Sequence, residues 1–296
     1  MSKIKVITHN GDFHADDVFA MASLMLLHKN KIEIMRTRDE AIINKGANYV
    51  IDVGGIYDDE RNIFDHHQSG GAGERSSGIP YASFGLLWKK IGIELCGSQD
   101  IAEEIDKKIV SQIDGWDNGL PLYDSKITNL KPYLVDQAIT SFNLTWKEKI
   151  EDIDTRFLEA VMIAAKILER EVKKISDKKE AELIVEKIYN NAEDKRIIVF
   201  EKNYPFQEIL SKYEEPLYVV SPDRINNNWH IATVRTEPHS FNNRKDLPYE
   251  WAGKRGVELA QITGVPDAIF CHNKCFVAVA QSKEGALKLA KIAVES

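Results

Sequence analysis

Short apolar runs alternate with helical patterns along the first part of the chain. The apolar runs predict strands at Lys3–His9, Lys31–Arg38, Tyr49–Val53 and Asn62–His66, and apolar residues at helical spacing predict a helix at Ala15–His28. Alternation of this kind is typical of an α/β domain. The pattern therefore predicts a first domain built on a mostly parallel sheet.

The next part of the chain is predicted to be largely helical. A loop rich in Gly and Ser, Gln68–Pro80, precedes helical patterns at Tyr81–Ile91 and Asp100–Ile113, and Asp114–Gly119 has the composition of a turn. A charged stretch with an apolar stripe, Asp154–Asp194, predicts a helical connector.

Strand and helix patterns resume after the connector and predict a smaller C-terminal α/β domain. Strands are expected at Arg196–Phe200, Leu217–Ser221, His230–Arg235, Ala268–His272 and Phe276–Ala280, with helices at Trp251–Ile262 and from Lys283. We therefore predict a catalytic domain at residues 1–192, with the connector at about 154–192, and a substrate-binding domain at 193–296.

Composition narrows the class of protein. The chain has 296 residues, 43% of them hydrophobic and 29% charged, which suits a two-domain globular protein. Its three cysteines form no even disulfide framework and no apolar run could span a bilayer, so we expect a cytoplasmic protein without a membrane partner. The net charge of −7 argues against broad binding to duplex DNA, but it leaves a single-stranded substrate open.

Histidines and aspartates collect where the predicted strands end. His9 ends the first strand, Asp52 lies near the end of the third, and His66 and His67 close the fourth, while His14 and Asp16 follow His9 at the start of the first helix. Because ligands of open α/β sheets bind beyond the carboxyl ends of strands, these side chains can converge.

Imidazole and carboxylate ligands together suit a transition metal such as Mn. A carboxylate that bridges two ions can support in-line displacement at a phosphate. Each residue alone has an ordinary structural explanation, for example Asp16 as a first-turn acid. Their convergence at one edge and the adjacent histidines favour a metal centre.

Several segments resemble successive motifs of the DHH phosphoesterase superfamily, and more closely of the Myg family. They are His9-Asn10-Gly11-Asp12-Phe13-His14-Ala15-Asp16-Asp17, Ile51-Asp52-Val53-Gly54-Gly55, Asp65-His66-His67-Gln68, Asp114-Gly115-Trp116-Asp117, and Ser240-Phe241 to Trp251 with Gly253, Arg255, Gly264-Val265 and Phe270-x-His272. Myg proteins are metal-dependent, and the best-known eukaryotic member acts as an RNA exonuclease.

The resemblance implies two divalent ions, with Mn²⁺ favoured. His9, His14 and Asp52 would hold one ion, and Asp16, Asp52, His66 and Asp114 the other, with Asp117 as the alternative to Asp114. The implied catalytic residues are Asp16, Asp52, His66 and His67, and the implied substrate-binding residues are His67, Arg244, Arg255 and His272.

The function implied is a metal-dependent phosphodiesterase that activates water, a 3′–5′ exonuclease on single-stranded RNA or short oligonucleotides. Two alternatives remain: a phosphatase or pyrophosphatase of a small metabolite, and a non-catalytic RNA-binding protein. Homo-oligomerisation stays open. Ala15 and Asp17 depart from the Cys and Glu expected of the Myg pattern, and Lys274–Ala278 replaces a more glycine-rich segment.

Overall fold

A computed structural model describes residues 3–238 and 240–296 of the chain. The chain divides into two compact units, unit 1 (Met1–Ser176) and unit 2 (Asp177–Ser296). Each unit contains a five-stranded sheet with helices, so the predicted mixed α/β architecture is confirmed. The division falls inside a long helix, whereas the sequence assigns that whole helix to the first domain.

The sheet of unit 1 is mostly parallel. Its strands are β1 (Ile4–Thr8), β2 (Ile32–Arg36), β3 (Tyr49–Ile51), β4 (Tyr57–Asp58) and β5 (Ile63–Phe64), in the order β2-β1-β3-β5-β4. Only the edge strand β4 pairs antiparallel. Because β1, β3 and β5 are parallel neighbours, their carboxyl ends lie at one edge.

Helices cover the sheet of unit 1 and complete its core. They are α1 (Ala15–Leu27), α2 (Glu40–Ile43), α3 (Ser83–Cys96), α4 (Gln99–Ile105), a π-helical turn (Asp106–Val110), α5 (Ser111–Asp117), α6 (Val135–Thr140), a 3₁₀ turn (Ile150–Asp152) and α7 (Ile153–Asn190). Apolar residues of α1, α3, α5 and the first part of α7 share one buried cluster with β1, β3 and β5. This packing fixes the start of α1 and the end of α5 beside the strand ends.

The sheet of unit 2 is mixed and mostly antiparallel. Its elements are β6 (Ile197–Val199), α8 (Gln207–Leu210), β7 (Tyr218–Pro222), β8 (Trp229–Thr233), a 3₁₀ turn (Tyr249–Trp251), α9 (Gly256–Thr263), β9 (Ala268–Cys271), β10 (Val277–Ala280) and α10 (Lys283–Glu295). The strand order is β6-β7-β8-β10-β9, and only β6 and β7 are parallel. Alanines and leucines of α10 pack on this sheet.

The structure differs from the sequence-based prediction mainly in short elements. The predicted strands and long helices are present with shifted ends, but β4 and α6 were not predicted. The predicted turn at Asp114–Gly119 is helical as far as Asp117, because α5 continues through Gly115. Over the described residues, no helix is both long and apolar enough to cross a membrane.

Candidate metal centre

The strand ends of unit 1 bring three predicted site residues together. His9 directly follows β1, Asp52 directly follows β3, and His66 lies two residues after β5. His14 and Asp16 approach the same place from the start of α1, where Asp17 Oδ1 accepts a hydrogen bond from the His14 amide at 2.9 Å. Parallel neighbouring strands thus gather residues that are far apart in the sequence.

The backbone at Asp52 is bent sharply as β3 ends. Its φ of +55° lies in the left-handed region, which Asp tolerates better than most residues. The Asp52 amide still donates to Phe64 O at 2.9 Å, and Ser83 Oγ donates to Asp52 Oδ1 at 2.9 Å. Neighbouring strand and helix therefore hold the Asp52 carboxylate in place.

The first cluster of possible ligands comprises His9, His14 and Asp52. His9 is buried, and its Nε2 lies 3.3 Å from both Asp52 Oδ2 and Asp17 Oδ2. Burial opposes protonation of this ring, but Asp17 and Asp52 outweigh it and raise the pKa of His9 to about 10. In the absence of an ion, the imidazolium balances the carboxylates.

The second cluster surrounds His66. Its Nε2 lies 3.2 Å from Asp117 Oδ2, 3.4 Å from Asp52 Oδ1 and 3.9 Å from Asp16 Oδ2. Burial again opposes protonation, and Asp117 and Asp52 raise the pKa of His66 to about 10. For Asp52, burial is outweighed by His66 and His9, which hold its pKa well below the usual range.

Unpartnered buried atoms test whether these residues fit a metal. Both carboxylate oxygens of Asp16 are buried without a hydrogen bond among the described residues, as are His9 Nε2, His66 Nε2 and Asp17 Oδ2. Burial, followed by Asp52 and Asp117, raises the pKa of Asp16 well above its usual range. These oxygen and nitrogen atoms are of the kinds that bind metals, and burying so many of them without hydrogen bonds is costly unless a cation pairs with them. The residues fit a divalent ion.

His67 lies beside the cluster but is exposed. Its Nδ1 donates to Asp65 Oδ1 at 2.8 Å, and Asp65 Oδ2 accepts from the Gly55 amide at 2.6 Å. A carboxylate can only accept, so Nδ1 carries the hydrogen and does not bind a metal, although it lies 3.5 Å from Asp52 Oδ1. The hydrogen bond to Asp65 raises the pKa of His67 and favours its cationic form.

The structure separates Asp114 from the two ligand clusters. Asp114 Oδ2 lies 2.7 Å from Arg75 Nη1, and Oδ1 accepts from the Gly85 amide at 3.0 Å. Burial raises the pKa of Asp114 to about 7, although Arg75 opposes this. Asp114 therefore anchors the loop that carries Arg75. Asp117 lies three residues later in α5, and its carboxylate faces His66.

The residues of unit 2 predicted to bind substrate have different surroundings. Arg244 donates from Nη1 to Pro216 O at 3.1 Å and from Nη2 to Ser211 O at 2.7 Å, and burial lowers its pKa. The guanidinium of Arg255, an exposed residue, lies 4.4 Å from the centre of the Phe270 ring. Only His272 lines a large cavity. Arg244 is thus committed to main-chain carbonyls.

Sequence reasoning missed several residues of the centre. Asp17 bridges the His14 amide and His9, Asp65 orients His67, and Arg38 Nη2 lies 3.1 Å from His9 Nδ1. Arg38 could have been found, because it is the last residue of the second predicted strand, whose carboxyl end reaches the same edge of the sheet. The position of Ser83 gives no comparable signal, because it depends on how α3 packs.

Comparison with known proteins places the chain in a family. Residues 5–294 match the sequence model MYG1_exonuc, described as Uncharacterised protein family (UPF0160). The chain belongs to this family. The MYG1 protein of Dictyostelium discoideum is 30% identical over 98% of this chain and 96% of its own length. The proteins named MYG1 exonuclease are 30% identical in Bos taurus and 29% in Homo sapiens, over 98% of this chain and 84% and 86% of their lengths.

The expected Myg resemblance is therefore confirmed, and the match includes both units. All the residues of the two ligand clusters fall inside the matched range.

Proposed function

We propose that the chain is a metal-dependent phosphodiesterase of the DHH type that removes nucleotides 3′–5′ from single-stranded RNA or short oligonucleotides. The observation that carries the proposal is a set of three overlapping groups of possible metal ligands at the edge of the sheet in unit 1: His9, His14 and Asp52; Asp52, His66 and His67; and His14, Asp16 and Asp117. The name of the bovine and human relatives, MYG1 exonuclease, supports a nucleic acid as substrate.

We assign one divalent ion, with Mn²⁺ favoured, to His9, His14 and Asp52, and a second ion to Asp16, Asp52, His66 and Asp117. Asp117 takes the place that the family resemblance assigned first to Asp114, because Asp117 lies at His66 and Asp114 lies at Arg75. Bound ions of this kind activate water and neutralise charge on the phosphate.

The chain's own residues orient these ligands. His9 Nδ1 lies 3.1 Å from both Asn10 O and Arg38 Nη2. With its hydrogen on Nδ1, donated to the Asn10 carbonyl, the ring would leave the Nε2 lone pair free for a metal. Ser83 fixes the rotation of Asp52, and Asp65 fixes that of His67. The cationic His67 ring, exposed beside Asp52, is placed to donate from Nε2 to a substrate phosphate.

The test is a degradation assay on end-labelled RNA and DNA, beside a panel of nucleotides and pyrophosphate. We expect stepwise shortening of single-stranded RNA from its 3′ end that needs Mn²⁺ and stops with a chelator. Rapid hydrolysis of pyrophosphate or a mononucleotide with intact RNA would assign the centre to a small metabolite. Binding of RNA with no hydrolysis of any substrate would leave a non-catalytic protein.

A further inference from the structure

Unit 2 contains a cavity of about 900 Å³ that no residue of the candidate metal centre lines. Sites for small organic ligands usually measure about 300–1,000 Å³, so the space suits a ligand of nucleotide size. The cavity lies beside β8 and β10, and its wall includes the isolated bridge between Arg235 and Asn243. We call it the aromatic cavity, because its wall contains three phenylalanines: the half-buried Phe206 and two whose rings are more exposed, Phe241 and Phe276.

Both rings are exposed to solvent. Phe241 is 88% exposed and Phe276 is 41% exposed, whereas most phenylalanines of the protein are buried. Exposed apolar surface that lines a concavity commonly marks a binding site. Phe276 also contacts the His272 ring, with 4.3 Å between the ring centres. The wall thus offers flat surfaces to a planar ligand.

Cationic and donor groups line the same wall. Over residues 3–238 and 240–296, the Arg235 guanidinium makes no hydrogen bond or ion pair, and it lies 5.2 Å from the centre of the Phe241 ring. Lys274 is exposed in the wall as well. The Lys274 amide donates to His272 Nδ1 at 3.1 Å, so in the neutral ring Nε2 carries the hydrogen. The wall also contains one exposed carboxylate, that of Asp246, so the two cations leave a local excess of positive charge that favours an anion.

Two of the three amide side chains of the wall, those of Gln207 and Asn243, are already engaged. Gln207 Nε2 donates to Thr233 O at 2.7 Å, and Oε1 accepts from the Arg235 amide at 3.0 Å. Asn243 Oδ1 accepts from Thr233 Oγ1 at 2.7 Å, and Nδ2 donates to Asp246 Oδ1 at 2.6 Å. Among the described residues of the wall, Asn242 is the amide whose exposed side chain makes no hydrogen bond, and the rings and cations are available beside it.

We propose that the aromatic cavity binds one nucleotide unit of a single-stranded nucleic acid, with the base against Phe241 and Phe276 and its phosphate at Arg235 and Lys274. The choice of a strand as ligand rests on the proposed nuclease function. Stacking on aromatic rings tolerates every base, and a cation binds the phosphate of any nucleotide, so the contacts proposed here do not select a sequence. Such contacts suit an enzyme that degrades varied strands.

The experiment measures binding of a fluorescently labelled RNA pentamer to the full chain by anisotropy, in EDTA so that metal-dependent cleavage is absent. Phe241→Ala should raise Kd about tenfold, because one stacked base is lost. Tyr249→Ala is the matched control, since Tyr249 is 85% exposed in the same unit but lies outside the cavity. Arg235→Ala should reduce the slope of log K against log salt by about 0.7, and Arg235→Lys should keep the slope.

Equal Kd values for Phe241→Ala, Tyr249→Ala and the unchanged protein would overturn the proposal. Adenosine 5′-monophosphate is the second probe: if it competes as strongly as an unlabelled pentamer, the cavity serves a free nucleotide, and if only the pentamer competes, it serves a strand. Loss of binding in the variants of a protein that cleaves no RNA would refute the proposed nuclease function and leave the cavity assignment intact. RNA cleavage with equal Kd values would do the reverse.

Discussion

The candidate metal centre of unit 1 and the aromatic cavity of unit 2 present opposite solutions to binding a phosphate. The centre is buried and acidic, with carboxylates such as Asp16 and Asp52 that face an anionic substrate only if cations intervene. The cavity is open, and its Arg235 and Lys274 offer cations to a phosphate without an intervening metal ion. Under the two proposals made above, unit 1 would supply reaction chemistry and unit 2 would supply affinity.

The largest expected effect comes from Asp52, which belongs to both assigned sites. Asp52→Asn keeps the size of the side chain but removes its charge, so both ions should bind weakly. Because a metal supplies several kcal/mol of charge stabilisation, activity should fall at least about a thousandfold. Metal analysis of the purified variant should show loss of both ions, with the exposed Asp124→Asn as the control.

The same variant tests the division of labour. In EDTA, Asp52→Asn should bind the RNA pentamer with the Kd of the unchanged protein, because Phe241 and Arg235 remain. A full metal complement and normal activity in Asp52→Asn would contradict the bridging assignment. A large loss of RNA affinity in EDTA would contradict the separation of roles between the two regions.

The next prediction distinguishes Asp114 from Asp117. Asp114→Ala leaves the buried Arg75 without one of its partners, which should cost about 3 kcal/mol and lower Tm by about 6–12 °C. Asp117→Ala removes a ligand from a crowded carboxylate cluster, so it should change the Tm of the metal-free protein much less. Its bound metal and activity should instead decrease.

Thermal unfolding and metal titration of both variants provide the measurement. Gly85→Ala is a third variant of use, because an added Cβ would lie 1.7 Å from Asp114 Oδ2 and should destabilise the protein without altering any assigned ligand. If Asp114→Ala kept its Tm and lost one metal equivalent, Asp114 would be the ligand, as the sequence first indicated.

The sequence predicted the scaffold better than the partners of individual side chains. Strands such as β1 and β3 have strong apolar patterns, and parallel pairing then places His9 and Asp52 at one edge without further information. The choice between Asp114 and Asp117 depends on the rotation of α5, which continues through a glycine that looks like a turn signal. Side chains three residues apart on a helix point only about 60° apart around its axis, so periodicity cannot choose between Asp114 and Asp117, and tertiary packing decides.

The same limit explains unit 2. Arg244 and Arg235 both have the residue type that suits a phosphate, and the family pattern singled out Arg244. The fold uses Arg244 to bind the carbonyls of Pro216 and Ser211, and it leaves Arg235 beside Phe241. Which arginine is committed to the main chain follows from loop conformation, which neither periodicity nor composition encodes.

The smallest expected effect is a pH dependence confined to the metal-free protein. The folded-state pKa of His9 and His66 is raised to about 10, against an ordinary value of 6.5, so their contribution to stability is complete below about pH 6.5 and is lost as pH rises toward 10. The raised pKa of Asp16 acts in the same direction, because folding then disfavours its charged form. Metal binding replaces the protons of both histidines and removes this dependence.

In EDTA, Tm should fall by about 5–10 °C between pH 7 and pH 9.5, equivalent to a few kcal/mol, whereas with Mn²⁺ it should stay nearly constant. A matched series on His66→Gln should show a smaller decrease in EDTA. Equal slopes with and without Mn²⁺ would mean that the histidines and the metal do not share one site, and the contrast between a cation-dependent unit 1 and a self-sufficient unit 2 would fail.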